Sequence, residues 1–251
     1  MKLPLPAIAI LVLGASFGFG QDFDKCVNNT EFHFINTKKV DINDLTPTPP
    51  SDQPSIFGDD KKMLDYELSD LHRLQDSRTP QEVDQANKDA AELDMFIFRT
   101  VLGDQFNASN PGLTATRALS QDICEEGNAI VTVQKTKFGR KRPFLVDPSL
   151  KPATDISFLK TSPSYPSGHS LIGYLEALTL AEILPTKRDE ILARAQEFER
   201  ERNLLGIHFL SDIAAARGVA YSAYDLIART PKFKKELVAA SAEIQANFPS
   251  K

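Results

Sequence analysis

The segment 165–170 combines side chains that could act together on an anion. It reads Tyr-Pro-Ser-Gly-His-Ser and opens a long apolar run. Because the first turn of a helix has free backbone N–H groups, Ser167, Gly168 and His169 could offer a hydroxyl, an amide and an imidazole to one phosphate. The same residues are typical of an ordinary turn with a helix N-cap, in which His169 is a structural histidine. The segment by itself leaves both interpretations open.

Arg202 is a second candidate anion ligand, because its position in the helical period is unusual for a charge. In the helix predicted from Thr186 to Leu204, it shares one face with Ile191 and Phe198 at about 100° per residue. An arginine in the charged run 199–202 is otherwise expected to face solvent. A cation turned toward the core needs an anionic partner, since an unpaired buried charge is costly. We therefore predict that Arg202 contributes to an anion site.

His208 and Asp212 form a pair that could supply a nucleophile. The helix predicted from His208 to Ala228 places both on one face, which Ala215 and Val219 continue into the interior. On that face Asp212 could accept a hydrogen bond from the Nδ1–H of His208, which fixes the tautomer and leaves Nε2 free to attack. The alternative is an Asp–His pair on a helix surface.

Two further cations lie upstream, at the end of a predicted helix and in the loop that follows it. Lys135 comes directly after the helix predicted from Thr114 to Gln134. Gly139 and the Arg142-Pro143 pair then force the backbone out of the helix. Lys135 and Arg142 are therefore predicted near one another.

These residues form three ordered groups with fixed spacing. Lys135 is followed after six residues by Arg142-Pro143, then comes Pro166-Ser167-Gly168-His169, and Arg202 is followed after five residues by His208 and after three more by Asp212. The pattern resembles the three-part phosphatase signature of the type 2 phosphatidic acid phosphatase superfamily, which also includes vanadium haloperoxidases. Within it, the chain is most similar to the soluble, exported bacterial class A non-specific acid phosphatases, over about residues 135–220.

The resemblance implies hydrolysis of phosphate monoesters through a phosphohistidine. The three cations, the Ser167 hydroxyl and the Gly168 N–H would bind the phosphate oxygens and stabilise the charge of the transition state. His208 would attack in line while Asp212 holds its ring, and His169 would protonate the leaving alkoxide and then activate water. The two histidines would need different pKa values. Because the cations supply the electrostatic stabilisation, no metal and no cofactor are expected.

Glu201 departs from the family pattern, which usually has serine directly before the arginine of the third motif. By helical phase, Glu201 lies about 80° from the inward face, so it could point to the rim of the site. A rotation toward Arg202 would instead make it compete with phosphate for the guanidinium. The choice affects substrate affinity and not the type of reaction.

Two other functions fit part of the pattern. A vanadium-dependent haloperoxidase would hold vanadate with the same residues, with His208 as its ligand, although the modest length of 251 residues favours the smaller phosphatases. A non-catalytic helical module could capture phosphate or phospholipid headgroups with the cations alone. The two histidines argue against a binding module, because anion capture needs neither an acid nor a nucleophile.

The fold predicted from the periodicity is an all-α, single-domain helical bundle with an extended, proline-rich N-terminal arm. Asp60 is a candidate cap for the first helix. A capping box formed by Thr79 and Glu82 opens a second helix, predicted to run toward Leu102. Further helices are predicted over residues 114–134, 171–184, 186–204, 208–228 and 231–247. Of these, the segment 171–184 is almost wholly apolar and should be the central helix.

The N-terminus predicts export. Residues 1–20 have the layout of a secretory signal peptide, with Lys2, an apolar centre and small residues that end at Gly20. Pro4 and Pro6 shorten the apolar run below the roughly 20 residues that a membrane span needs. Residues 21–57 are then the arm, and residues 58–251 the helical acid phosphatase domain. We expect a periplasmic or secreted protein without stable membrane insertion after cleavage.

The composition of the chain limits the kinds of partner that it could bind, and its two cysteines could form a disulfide. The formal net charge of −5 and the absence of a long basic stripe argue against nucleic acid. The expected partner is a small-molecule phosphomonoester, and a homo-oligomer is compatible with the sequence. In an oxidising compartment Cys26 and Cys124 could form a disulfide that ties the arm to the domain, with two unpaired buried thiols as the alternative.

Overall fold

A computed structural model describes Cys26 and residues 29–50 and 60–248 of the 251-residue chain. Within these residues all regular structure is helical, which confirms the predicted all-α fold. None of the described helices is both long and apolar enough to span a membrane. The predicted signal peptide, residues 1–20, lies outside the described residues, and the predicted domain boundaries stay predictions.

The α-helices pack around one central helix. They are α1 (Asp60–Ser77), α2 (Pro80–Ala90), α3 (Arg99–Leu102), α4 (Thr114–Phe138), α5 (Pro143–Val146), α6 (Gly168–Ile183), α7 (Arg188–Leu204), α8 (Leu210–Ala228) and α9 (Pro231–Asn247). Short 3-10 helices cover Ile42–Leu45, Met95–Phe98 and Pro185–Lys187. The helices α4, α7 and α8 pack most extensively against α6.

Helix α6 is the predicted central helix, and it is buried on nearly every side. A helix that is apolar all round needs neighbours all round, which α4, α7 and α8 provide. Gly173 allows α7 to come close, because a Cβ at this position would lie 2.8 Å from Cδ1 of Phe198. The close contact matters for the site, since Phe198 also packs beneath Arg202.

The predicted long helix from the Thr79 capping box is shorter than expected. The box itself is present, with Pro80 in the first turn, but α2 ends at Ala90. A separate 3-10 helix then begins after Asp94, whose side chain accepts a hydrogen bond from the N–H of Phe96 at 2.9 Å. The side chain of Asp94 thus offers the backbone a local alternative to a continuous helix. The prediction that this helix extends toward Leu102 is therefore wrong.

Other boundaries shift by a few residues. Helix α1 includes Asp60 as its first residue, and α4 continues to Phe138, so that Lys135 lies in its last turn. The predicted start at Thr186 is wrong, because Thr186 lies within a 3-10 helix and α7 begins at Arg188 without a side-chain cap. The last helix has the predicted bounds.

The described part of the N-terminal arm is fastened to α4. Cys26 and Cys124 form a disulfide, with their Cα atoms 5.6 Å apart, which decides between the two alternatives left open by the sequence. The buried carboxylate of Glu126 accepts hydrogen bonds from three consecutive backbone N–H groups of the arm, those of residues 33, 34 and 35. This part of the arm is therefore a fixed element of the fold.

Candidate active site

His208 lies in the loop between α7 and α8. Gly206 turns this loop with a φ of +75°, a conformation that favours glycine. His208 therefore precedes α8, and the prediction that the helix begins at His208 is wrong. Its ring still reaches Asp212, with 3.2 Å between Nδ1 and Oδ2. The same Oδ2 accepts a hydrogen bond from the N–H of Phe209 at 2.8 Å, so Asp212 both starts the helix and holds the histidine.

Asp212 is wholly buried, and both of its carboxylate oxygens accept hydrogen bonds. Its Oδ2 also accepts a hydrogen bond from the hydroxyl of Ser164, and its Oδ1 accepts one from Nη1 of Arg140 at 2.6 Å. Burial alone would raise the pKa of this carboxyl, but the hydrogen bond from His208 and the charge of Arg140 outweigh burial and lower the pKa to about 2. Asp212 is therefore a carboxylate throughout the neutral and mildly acidic range.

The contacts of His208 define its tautomer. Its Nε2 lies 2.8 Å from Nη1 of Arg142. Because arginine can only donate, Nε2 is the acceptor and Nδ1 carries the hydrogen that faces Asp212. Burial, followed by the charge of Arg142, holds the pKa of His208 well below its usual value. The tautomer is the predicted one, but Nε2 is occupied by Arg142 rather than free.

Lys135 and Arg142 are held by backbone carbonyls. Nζ of Lys135 donates to the carbonyl of Pro163 at 2.5 Å. Nε of Arg142 donates to the carbonyl of Ser162, and Nη1 donates to that of Ile207, both at 2.9 Å. Burial lowers the pKa of Arg142 to about 10 and, together with the charge of Arg142, holds the pKa of Lys135 well below its usual value. Carbonyls orient these cations without neutralising them.

Arg202 is wholly buried, as the helical phase predicts. Its Nη2 donates to the carbonyl of Ala86 at 2.9 Å, and its guanidinium lies over the ring of Phe198. Among the described residues, neither Nε nor Nη1 has a hydrogen-bond partner. Nη2 also pairs with the carboxyl of the neighbouring Glu201, so the guanidinium has one acidic partner within the chain and two nitrogens that remain able to bind an anion.

Glu201 turns toward Arg202 rather than toward the rim. Its Oε2 accepts a hydrogen bond from Nη2 of Arg202 at 3.0 Å, and its Oε1 lies 3.6 Å from Nη1 of Arg194. Burial raises the pKa of Glu201, and the neighbouring carboxyl of Asp89 raises it further. Of the two orientations that the sequence left open, the structure shows the one in which Glu201 contacts the guanidinium of Arg202.

His169 is bonded to the end of α2. Its Nε2 lies 3.1 Å from the carbonyl of Ala90. Since a carbonyl only accepts, Nε2 carries the hydrogen and Nδ1 is the other proton site of the ring. Burial, then the charge of Arg202, lowers the pKa of His169 to about 3. The pKa values of both histidines are thus shifted in the same direction, below the usual value for histidine.

Gly168 is the first residue of α6, and Ser167 is its N-cap, as one of the two interpretations of the segment predicted. The Ser167 hydroxyl accepts a hydrogen bond from the hydroxyl of Ser170 at 2.9 Å, and its N–H donates to the backbone carbonyl of Asp212 at 3.1 Å. A Cβ placed on Gly168 would meet only Val131, at an ordinary contact distance of 3.5 Å. Packing within the described residues therefore does not require glycine here, and open space remains at the helix N-terminus.

Electrostatic interactions show that the predicted residues form one cluster. The charges of Arg202, Lys135 and Arg142 all act to lower the pKa of His169. The last two also lower the pKa of His208. The structure thus brings all three cations near His169, and Lys135 and Arg142 near His208 as well, while the role of each residue stays a prediction.

Known proteins resemble the chain along most of its length. A non-specific acid phosphatase of Providencia stuartii is 31% identical over 216 residues, which cover 84% of this chain and 84% of that protein. A sequence profile of the PAP2 superfamily matches residues 124–235, the span that holds all three motifs. The chain belongs to the PAP2 superfamily.

Further relatives cover less of the chain. A non-specific acid phosphatase of Salmonella typhimurium strain LT2 is 31% identical over 150 residues, 59% of each protein. An acid phosphatase of Zymomonas mobilis is 33% identical over 130 residues, 51% of this chain and 47% of that one. A bacterial vanadium-dependent iodoperoxidase of known structure superposes with a TM-score of 0.56 at 16% identity, over 76% of this chain and 54% of that one. The last likeness shows the PAP2 fold alone.

Sequence reasoning missed several groups that support this PAP2 site. Arg140 lies in the spacer between the first-motif cations and carries no visible signal, yet it binds Asp212 and, at 2.9 Å, Glu67. The carbonyls of Ala86 and Ala90 hold Arg202 and His169, respectively. Every residue has a backbone carbonyl, so the sequence does not indicate which carbonyls accept these hydrogen bonds. They are identified only by the position of α2 in the fold.

Proposed function

We propose that this PAP2 chain is an acid phosphatase that hydrolyses phosphate monoesters. The observation that carries the proposal is the buried guanidinium of Arg202 beside His169, with two nitrogens that have no partner in the described part of the chain and with two further cations nearby. An excess of buried positive charge favours a multiply charged anion. The acid phosphatases among its relatives support a phosphate monoester as that anion.

The proposed nucleophile is Nε2 of His208. Substrate phosphate would attract the guanidinium of Arg142, which frees Nε2 to attack phosphorus as the bond to the leaving oxygen breaks. The ring then carries a positive charge, and Asp212, a carboxylate at any pH well above 2, stabilises that charge through the Nδ1–H. Water would later displace the histidine and release inorganic phosphate. Asp212 therefore acts by orienting and stabilising the ring.

The proposed acid and base is His169. In the ligand-free site its low pKa makes it neutral, but a bound phosphate neutralises the neighbouring cations and should raise that pKa. The carbonyl of Ala90, at the C-terminal end of α2, would stabilise the imidazolium through Nε2–H. The proton on Nδ1 is then the one given to the leaving alkoxide, and the same nitrogen later accepts a proton from water.

Catalysis is proposed to need no metal, because Lys135, Arg142 and Arg202 offer the charge that stabilises the phosphoryl oxygens. The carboxylate of Asp212 is paired with the guanidinium of Arg140, a cation that a metal ion at this position would have to displace. We expect activity to survive dialysis against EDTA, and vanadate to inhibit strongly because its five-coordinate form resembles the transition state. A loss of activity that divalent ions restore would contradict the mechanism.

A direct test compares three activities of the purified protein. An acid phosphatase hydrolyses p-nitrophenyl phosphate and forms a phosphohistidine that can be trapped by rapid denaturation. A haloperoxidase would oxidise iodide or bromide with peroxide after vanadate is added. A binding module would retain phosphate and form no phosphoenzyme. Halide oxidation, or phosphate binding without turnover, would overturn the proposal.

Export to the periplasm or the medium is part of the proposal. The layout of residues 1–20 and the Cys26–Cys124 disulfide support an oxidising compartment outside the cytoplasm. We expect the mature protein to begin near Gln21, which intact-mass spectrometry of the exported form would test. A mature form that still begins at Met1 would contradict cleavage.

A further inference from the structure

A second cluster of chemically active side chains lies where the arm meets α4. It consists of Glu31 and His33 from the arm and Glu125 from α4, and one donor atom of each lies within 4.8 Å of the other two. Nε2 of His33 is 2.7 Å from Oε2 of Glu125. One imidazole and two carboxylates from two distant chain segments thus converge on one point.

The backbone around this cluster is fixed before any ligand binds. Glu126, the neighbour of Glu125, holds the N–H groups of residues 33–35 at 2.5 to 3.0 Å. The disulfide at Cys124 ties the preceding arm residues to the same turn of α4. A metal that joins His33 to Glu125 would therefore order little additional chain, so little conformational entropy opposes binding.

Neighbouring groups would orient both ligands. Gln121 donates to Oε1 of Glu125 and Asn29 donates to Oε2, each at 2.6 Å. Nδ1 of His33 lies 3.9 Å from Oδ1 of Asp122. This distance is too long for a hydrogen bond, but a small rotation would bring Asp122 to the position from which a carboxylate commonly supports metal-bound imidazole.

The charge of the region also favours a cation. Three carboxylates, those of Glu31, Asp122 and Glu125, surround His33. Lys232 is already bound to Asp122 and, at 2.8 Å, to Glu236. Its charge is therefore shared between two acids, and the cluster keeps an excess of negative charge.

We propose that Glu31, His33 and Glu125 bind one Zn²⁺ or a similar divalent transition ion, which fastens the arm to α4. The metal would take the place of the proton between His33 and Glu125. Two donors on a tetrahedral Zn²⁺ lie about 3.4 Å apart, so small side-chain rotations complete the site, with water as the fourth ligand. Mg²⁺ and Ca²⁺ fit less well because they prefer oxygen ligands and higher coordination numbers.

The test is metal binding by the EDTA-treated, disulfide-intact protein, titrated with ZnCl₂ in a calorimeter and with CoCl₂ in the visible spectrum. The wild type should bind one equivalent and give the absorption of tetrahedral Co²⁺. His33→Gln and Glu31→Gln should each weaken Zn²⁺ binding by at least about 100-fold, and Asp122→Asn by about 10-fold. Glu31 is exposed, so its variant should keep the helical circular dichroism of the wild type.

His72→Gln is the matched control. His72 pairs with one carboxylate, that of Asp147 at 2.8 Å, but belongs to no three-residue cluster among the described residues. It should bind Zn²⁺ as the wild type does. The proposal is overturned if the wild type binds no stoichiometric metal, if His33→Gln and Glu31→Gln bind normally, or if His72→Gln loses binding as severely. Because the readout is binding, the result does not depend on whether the protein is a phosphatase.

Discussion

The two histidines of the active site lie in surroundings of opposite kinds. Both ring nitrogens of His208 have partners, and Asp212 behind it is fully engaged. His169 lies beside Arg202, whose Nε and Nη1 have no partner among the described residues. The protein has thus completed the half of the site proposed to make the nucleophile. In the other half, which is incomplete, two nitrogens of Arg202 are proposed to bind an anion.

The largest loss of activity should come from a substitution in the half of the site that contains His208. His208→Ala removes the proposed nucleophile, and the neighbouring groups cannot replace it. We expect turnover of p-nitrophenyl phosphate to fall by roughly 10³-fold or more, with no trapped phosphoenzyme for any substrate. Rapid-quench mass spectrometry of the denatured protein would measure the loss.

His72→Ala is the control for this variant, because His72 is a partly exposed histidine that also pairs with a carboxylate. It should form the phosphoenzyme as the wild type does. A phosphoenzyme that persists in His208→Ala would contradict the assignment of the nucleophile.

A smaller loss of activity, which depends on the leaving group, is expected from a substitution in the half of the site that contains His169. His169→Ala removes a proton donor, so leaving groups that need no proton should suffer little. We expect the ratio of aryl to alkyl phosphate reactivity, measured as a single-turnover burst, to rise on the order of 10²-fold. Steady-state turnover is a poor readout, since the same histidine also serves hydrolysis of the phosphoenzyme. An equal loss of the burst with both substrate classes would contradict the role of acid.

The same contrast explains what the sequence could predict. The helical period alone predicted that Arg202 faces the interior, and Arg202 is buried. The spacing of His208 and Asp212 predicted their contact and the tautomer of the histidine. Both predictions depend only on residues close in sequence. The bond from Arg142 to Nε2 of His208 joins residues 66 apart in sequence and could not be read from either segment. The end of α2 at Ala90 depends on a competing turn at Asp94, a balance that periodicity does not resolve.

The sequence left the orientation of the Glu201 side chain open for a different reason. Its backbone position is set by α7, but a glutamate has several side-chain rotamers, and residue order does not choose among them. The choice is made by Arg202, Arg194 and Asp89, which come from α7 and α2. These contacts place a competing carboxylate on the guanidinium that is proposed to bind substrate.

The smallest expected effect tests this competition. Glu201→Ser, which restores the residue usual in the resembled family, should tighten competitive inhibition by inorganic phosphate about tenfold at pH 9, equivalent to about 1.4 kcal/mol. Glu197→Ser is the matched control, because Glu197 is an exposed glutamate of the same helix that lies near Arg194. It should leave the inhibition constant unchanged.

The pH dependence gives the sharper form of this test. Burial and Asp89 raise the pKa of Glu201, so the neutral form persists to higher pH in the folded protein than in the unfolded chain. Below that raised pKa the neutral acid competes weakly for Arg202, and above it the carboxylate competes fully. The ratio of wild-type to Glu201→Ser inhibition constants should therefore be near one at pH 5 and should grow as the pH rises. Because both proteins meet the same phosphate species at each pH, the titration of phosphate cancels from the ratio. A ratio that is large at pH 5, or constant with pH, would show that Glu201 affects the site through packing rather than charge.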